Sequence, residues 1–315
     1  MIARPATIND LCPVCQSPGM NPFVAIPQSL TVARCARCGL ARGDHAPPSN
    51  GGGAEDHFRG LNEDRYLKSV RATRLRSYDR LLAEVRKLVP RGTWLDVGSG
   101  YGWLLERVAQ EGYSPLGIEP SGPAADQAHA QGLNVVHGYF PGDLPGELRP
   151  QIISFMDVLE HLSSPIEALR AAASRLTPGG IVVVQVPDQA CLLFRLAAAL
   201  CRVTHGKISF AFERLWLVGF DFPHLYYFTL QALQQAMNAA GLKVLRHYRT
   251  PIGYPREALD RVAYTQQGPP SLGARCVALA LGGIHALDNS SGYGGLLTMM
   301  GTLATHEIAA HGDVR

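Results

Sequence analysis

From Thr93 onward, short β-branched or apolar runs alternate with stretches of helical periodicity, the pattern of a parallel sheet covered on both faces. Strands are predicted at 93–98, 115–119, 133–136, 151–156, 180–186 and 242–248, with helices starting near Tyr101, Gly122, Pro165 and Thr229. In the helix from Pro165, residues Ile166, Leu169, Ala172, Ala173 and Leu176 lay an apolar stripe on one face. Gly179-Gly180 then ends it. Upstream, Leu67, Val70, Leu75, Tyr78, Leu81, Leu82 and Val85 keep a helical spacing with no Gly or Pro between Leu61 and Val89, which predicts one or two helices before the first strand. Residues 188–223 interrupt the alternation with two apolar patches, Cys191 to Val203 and Ile208 to Phe220. They read as a helical cap over a site. From Pro269 to Ala310 the chain is Gly/Ala-rich and mildly apolar, and no strand stands out.

Ahead of the alternation lies a head of about forty residues, too short to bury enough apolar surface to fold alone. It carries two Cys-x2-Cys knuckles, Cys12-Pro13-Val14-Cys15 and Cys35-Ala36-Arg37-Cys38, nineteen residues apart. Gly39 suits the tight turn that aims backbone N–H groups at sulfur. Four thiolates match a tetrahedral zinc with no open position, hence a structural ion that supplies the missing folding free energy. Paired disulfides or a redox couple are the other readings of that spacing. Residues 46–57, which include Pro47-Pro48-Ser49-Asn50-Gly51-Gly52-Gly53, are expected to be a flexible linker. The organisation is then a zinc-ribbon-like module at 1–45, that linker, and a main domain at 58–315 with its cap insertion at 188–223.

Composition changes this picture only by exclusion. With 46% apolar and 17% charged residues the chain has material for a sizeable core. Its 29 basic and 26 acidic residues leave a net charge of +3, no field of the kind a phosphate backbone needs, so nucleic acid is not favoured as a partner. Met1 to Asp10 lacks the pattern of a secretory signal, and the longest apolar runs, Ala190 to Val203 and Cys276 to Leu287, are too short or too interrupted to span a bilayer. A cytoplasmic protein is expected.

The segment Trp94-Leu95-Asp96-Val97-Gly98-Ser99-Gly100-Tyr101-Gly102 is an apolar strand running into a turn with three alternate glycines. An amphipathic helix follows, marked by Leu104, Leu105, Val108 and Ala109. This is an arrangement that brings backbone N–H groups against a ligand. Glu119 closes the next strand seventeen residues beyond Gly102, where a carboxylate accepts both hydroxyls of a ribose. Dinucleotide enzymes use G-x-G-x-x-G, whereas this turn reads G-x-G-x-G with Asp96 before it.

Further motifs follow in order: Gly117-Ile118-Glu119-Pro120-Ser121, Asp157-Val158-Leu159-Glu160-His161-Leu162, Leu176-Thr177-Pro178-Gly179-Gly180 and His224-Leu225-Tyr226-Tyr227-Phe228-Thr229. On these motifs the sequence, from about Tyr66 to Tyr248, resembles class I methyltransferases of the bacterial small-molecule branch. The resemblance implies a Rossmann-like α/β fold, a seven-stranded sheet with helices on both faces, whose last, antiparallel strand has no visible position in this sequence. It also implies S-adenosylmethionine across the ends of strands one, two and four, methyl transfer by direct displacement, cofactor contacts from Asp96, Gly98, Gly100, Gly102, Glu119 and Asp157, and a lid position for Tyr66. Many relatives place an acidic residue after strand three. This chain reads His137-Gly138-Tyr139-Phe140, so Tyr139 or Phe140 is expected to stack on the adenine instead.

Heads of this kind occur in nucleotide-sugar C-methyltransferases and in some ribosomal-RNA guanine methyltransferases. The sugar enzymes carry Tyr-x-Glu-His before their aromatic segment; here Asp221-Phe222-Pro223-His224 keeps only the histidine. Methyl transfer needs a base only where a hydroxyl or carbon acid must lose a proton, and histidine suits that task near neutral pH. His161 and His224 are the candidates, with positioning as the other reading of His161 and packing as that of His224. Tyr66, Phe222 and Tyr226 are expected to bound the acceptor pocket, while Asp157 and Glu160 also read as helix-capping carboxylates. The expected function is S-adenosylmethionine-dependent methylation of an oxygen or carbon of a small molecule, whether sugar, nucleotide sugar or secondary metabolite. A zinc-assisted RNA methyltransferase and a non-catalytic interaction protein on the same fold are the alternatives.

Overall fold

The computed structural model describes residues 11–45, 63–264 and 268–304, with side chains of the first helix described from residue 67. The expected linker at 46–57 lies outside the described residues, as does the side chain of Tyr66.

The head forms three antiparallel strands, β1 (Met20–Ile26), β2 (Leu30–Cys35) and β3 (Ala41–Gly43). Helix α1 (Glu63–Val85) leads into the alternation: β4 (Thr93–Val97), α2 (Trp103–Gln110), β5 (Ser114–Glu119), α3 (Gly122–Ala130), β6 (Val135–His137), β7 (Ile152–Met156), α4 (Pro165–Arg175) and β8 (Ile181–Pro187). The insertion supplies α5 (Leu192–Val203) and α6 (Phe210–Leu215). It is followed by a two-residue strand β9 (Tyr226–Tyr227), α7 (Leu230–Ala239), β10 (Leu242–Thr250), α8 (Ala258–Ala263), α9 (Leu272–Ser291) and β11 (Leu296–Leu303).

The main sheet has the order β10-β11-β8-β7-β4-β5-β6, parallel from β8 to β6 and antiparallel at β11. β11 therefore places the last antiparallel strand, between β8 and β10. Successive residues of a strand point to opposite faces, and the core divides accordingly. Ile181 and Val183 pack with α1 and α2 on one side, while Val182, Val184 and Val186 pack with α4 and α7 on the other. Both faces being covered, β7 is buried along its whole length.

The stretch without a visible strand, 269–291, is largely helix α9, N-capped by Ser271, which accepts from the Ala274 N–H at 3.2 Å, and ended by Gly292 at φ 75°. α9 fixes the cap from behind. Both carboxylate oxygens of its Asp288 accept the Leu192 N–H, at 2.8 and 3.0 Å, at the otherwise unpaired start of α5. Replacing Asp288 by alanine is expected to cost about 1.5–3 kcal/mol of stability, the range for hydrogen bonds to a charged group. A chemical-denaturation midpoint unchanged from wild type would remove Asp288 from that role.

The head is built into the same structure. β9 pairs with β3, Ala41 opposite Tyr227 and Arg42 opposite Tyr226, so a segment from the far end of the cap completes the head's sheet. Val24, Leu30 and Val32 bury against Phe194, Ala197, Ala198 and Cys201 of α5 and Phe212 of α6. Much of the cap insertion thus covers the head sheet, and the roof over the cavity described below is shared with α8 and α9.

Candidate active site

The turn after β4 holds its three glycines at positive φ: Gly98 at 70°, Gly100 at 53° and Gly102 at 76°. Each has a reason to lack a side chain. A Cβ on Gly98 would stand 2.6 Å from Val158 and one on Gly102 2.3 Å from Leu133, while one on Gly100 would meet nothing within 4 Å among the described residues. Gly98 and Gly102 are therefore packing positions. Gly100 borders open space, the cradle a ligand would fill.

Glu119 stands opposite that turn, its two oxygens accepting the Gly100 N–H at 2.7 Å and the Ser121 N–H at 2.9 Å. Burial raises its pKa, and these two donors oppose the shift. Asp96 lies beneath, accepting from the Ser154 hydroxyl at 2.5 Å, which in turn accepts from the Trp94 indole N–H at 2.8 Å. Burial pushes Asp96 up to about 7. It braces the floor of the turn.

A cavity of about 710 Å³ runs from this turn to the underside of the cap. Its cofactor end is lined by Gly98, Glu119, Tyr139 and Phe140; the opposite end by Phe210, Phe222, Val262, Val277, Leu281 and Ile284. Between them sit Glu160, His161 and His224. The lining from α8 and α9 was not visible in the sequence, since the apolar spacing there is irregular.

The three central residues are brought together from two segments about sixty residues apart in the chain. Glu160 and His161 lie on a short 3-10 turn, Leu159–His161, after β7. The Leu225 N–H donates to the Glu160 carbonyl at 2.9 Å, which fixes the His224 segment against that turn. The His161 Nδ1 lies 3.0 Å from the Pro223 carbonyl and the His224 Nδ1 2.7 Å from that of Leu215. A carbonyl only accepts, so in each neutral ring Nδ1 carries the hydrogen and Nε2 the lone pair. Both Nε2 atoms lie 4.0 Å from the same Glu160 oxygen, and the two rings are 4.8 Å apart. Glu160 is fully buried, neither of its oxygens has a hydrogen-bond partner among the described residues, and burial pushes it up to about 8. Burial, with His161 alongside, lowers His224 well below its usual value. It is neutral at physiological pH.

The remaining expected residues fall out as follows. Asp157, itself at φ 57°, is ion-paired with Arg74 of α1 and accepts from the Gln185 amide at 3.2 Å; it reaches the cavity wall already engaged. Tyr139 is 44% exposed and lines the cavity near Glu119. Phe222 lines the acceptor end. Tyr226 does not line the cavity: its hydroxyl donates to the Ser163 carbonyl at 3.1 Å and its ring packs in the main core. The strand alternation of β9 puts Tyr227 there instead, its hydroxyl donating to the Leu215 carbonyl at 2.9 Å. Arg74 is a site residue the sequence did not single out, and Glu160, read there as part of the Asp157–Leu162 motif and as a helix-capping carboxylate, lies between the two histidines.

In the head, Cys12, Cys15, Cys35 and Cys38 are unbonded thiols whose sulfurs all lie within 4.8 Å of one another, Cys12 to Cys38 at 3.6 Å and Cys15 to Cys35 at 3.5 Å. Sulfurs about 2.3 Å from a tetrahedral metal are about 3.8 Å apart, so the cluster fits such an ion with little movement. Among the described residues no helix is long and apolar enough to cross a membrane.

Residues 67–247 match the family described as "Methyltransferase domain". The chain is similar to a ubiquinone biosynthesis O-methyltransferase of Caulobacter vibrioides, 34% identical over 114 residues, which make up 33% of this chain and 44% of that enzyme. An enzyme of the same description from Methylococcus capsulatus is 28% identical over 131 residues, 37% of this chain and 55% of the relative. The chain thus spans about half the length of these curated relatives. Among solved structures, the plantazolicin methyltransferase BpumL in complex with SAH shares the fold at a TM-score of 0.50 and 13% identity, over 78% of this chain and 90% of that one.

Proposed function

Because the chain belongs to the methyltransferase domain family, we propose that it transfers the methyl group of S-adenosylmethionine to an oxygen of a small, largely apolar acceptor. The observation that carries this reading is one continuous cavity with the glycine turn and Glu119 at one end, an apolar chamber at the other, and Glu160, His161 and His224 between them.

When bound, S-adenosylmethionine supplies an electrophilic methyl group on a positively charged sulfur. The chain's part is to hold both reactants in line and to make the acceptor oxygen nucleophilic. The open space over Gly100 receives the cofactor, Glu119 accepts hydrogen bonds from its ribose, and Tyr139 or Phe140 covers its base. The aromatic and aliphatic walls under the cap, Phe210, Phe222 and Leu281 among them, exclude water from the acceptor. Two imidazole lone pairs and a carboxylate face the place where the acceptor hydroxyl must shed its proton. The oxygen–carbon bond then forms as the carbon–sulfur bond breaks.

The four thiols of the head are proposed to hold one structural zinc. A zinc there leaves no position for a substrate. Its service to the reaction is mechanical, through β3 and β9.

The cofactor half is tested by calorimetric titration with S-adenosylhomocysteine. Glu119→Ala is expected to weaken binding at least about tenfold, since it removes hydrogen bonds to a charged acceptor. Gly100→Val is expected to abolish it. Wild-type affinity in both variants would place the cofactor elsewhere. The acceptor half is tested by methyl uptake across hydroxylated aromatic and aliphatic compounds, and uptake by none of them while RNA is labelled would overturn the small-molecule reading.

A further inference from the structure

A buried carboxyl without a hydrogen-bond partner is costly when ionised, and it is relieved by taking up a proton or by a cation beside it. Glu160 is such a group. Its two oxygens have no hydrogen-bond partner among the described residues, it is fully buried, and the Nε2 atoms of His161 and His224 both lie 4.0 Å from one of those oxygens. A divalent ion held between the three residues would take the place of the proton that burial otherwise keeps on this carboxyl.

We propose that Glu160, His161 and His224 form a divalent-cation site, separate from the four-thiol head, whose open coordination positions take the acceptor oxygen. One ligand atom from each residue lies within 4.8 Å of the others. Ligand atoms about 2.1 Å from a shared ion are about 3–3.5 Å apart, so the side chains close by roughly 1 Å on binding. The backbone around the rings already has the form such a site needs. Each ligating histidine of a metal centre usually donates its other ring N–H to a carbonyl or carboxylate, which fixes tautomer and orientation. Here Pro223 and Leu215 provide those carbonyls.

Two imidazoles and one carboxylate suit a first-row transition ion such as Mn²⁺, Fe²⁺, Co²⁺ or Zn²⁺ and leave positions open for an oxygen ligand. The head, with four sulfurs, selects zinc and offers none. An acceptor hydroxyl on the central ion becomes acidic, as water does on a bound divalent ion. Its proton leaves to solvent at the cavity mouth, and the resulting alkoxide or phenoxide attacks the methyl carbon. The role in catalysis rests on the methyl-transfer reading above; the binding of the ion does not.

The probe is Mn²⁺, which thiolates do not favour. Protein freed of loosely held metal, its head zinc verified by elemental analysis, is titrated with Mn²⁺ and followed by electron paramagnetic resonance. One bound Mn²⁺ per chain is expected, weakened at least about tenfold in Glu160→Gln and in His224→Ala, the loss that follows even from disturbing ligand support. Methyl transfer should fall on chelation and return with Mn²⁺. Melting temperatures accompany both variants, and if either fails to fold the wild-type stoichiometry decides. A wild-type chain that binds no Mn²⁺ and holds only its head zinc after equilibration with Zn²⁺ overturns the site. So does unchanged Mn²⁺ affinity in two folded variants. Full activity in chelated protein would overturn the catalytic role while leaving methyl transfer standing, with the three residues then sharing a proton. Failure to bind S-adenosylhomocysteine would instead remove the methyl-transfer reading and leave the Mn²⁺ titration to stand by itself.

Discussion

Replacing His224 by alanine is expected to lower the single-turnover rate of methyl transfer by about 10²–10⁴-fold. The affinity for S-adenosylhomocysteine should stay within about twofold of wild type, because the residue lies away from the glycine turn and Glu119, and a loss confined to the chemical step leaves cofactor binding untouched. The ring is 12% exposed, and that exposed part faces the cavity. His224→Gln separates chemistry from packing: an amide fills similar space but offers neither a basic nitrogen nor a good metal ligand. It should be nearly as slow as the alanine variant. A normal rate in His224→Ala, with an unchanged melting temperature, would take this residue out of the mechanism.

The second large effect is expected from the head. Cys35→Ser should remove the head's metal and also reduce methyl transfer by about 10²-fold, the scale of a 1 Å misplacement at a reacting centre. The route is physical and short. The Thr229 hydroxyl donates to the Cys38 carbonyl at 2.6 Å, the Gln189 amide donates to the Gly39 carbonyl at 2.8 Å, and the Gly43 N–H donates to the Leu225 carbonyl at 3.0 Å. Leu225 adjoins His224. Metal binding of this type carries about 10–16 kcal/mol of folding free energy, so its loss loosens the strand that brackets the histidine. Elemental analysis, the single-turnover rate and cofactor affinity measured together decide the matter. A variant without head metal that turns over normally would show that the head does not support the site.

How much of this was legible in the chain depends on where burial leaves a periodic mark. The parallel strands were placed within a residue or two of their observed ends, because β7 and β8 are apolar runs, broken only by Ser154 and Gln185, set between turn residues. The glycine turn and the cysteine knuckles were legible because they are local. α9 was hidden for a different reason. Its buried face carries Ala274, Ala278, Gly282, His285 and Asp288, while Leu272, Leu279 and Leu287 point outward, the reverse of an ordinary amphipathic helix. Close packing of small residues leaves no apolar stripe to read, although Ser271 and Gly292 were present as start and stop signals. β11 is buried on both faces, so it has no alternation. Glu160 looked like any carboxylate at a helix start until the fold brought His224 to it. Tyr226 and Tyr227 are indistinguishable in sequence, and only the pairing of β9 with β3 decides which one faces the cavity.

That pairing also governs the order in which the protein can be completed. On the ribosome the four cysteines emerge before β9, and the knuckles can close on one another while the strands of the main sheet are unmade. Residue 41, however, finds its partner only when residue 227 arrives. At about 5–20 residues per second that is an interval of roughly 10 to 40 s. During it β3 presents an open edge, and Val24, Leu30 and Val32 lack the helices that later cover them. A nascent or truncated chain ending before β9 would therefore expose a head sheet with an open, sticky edge, prone to pair with its neighbours on the same polysome.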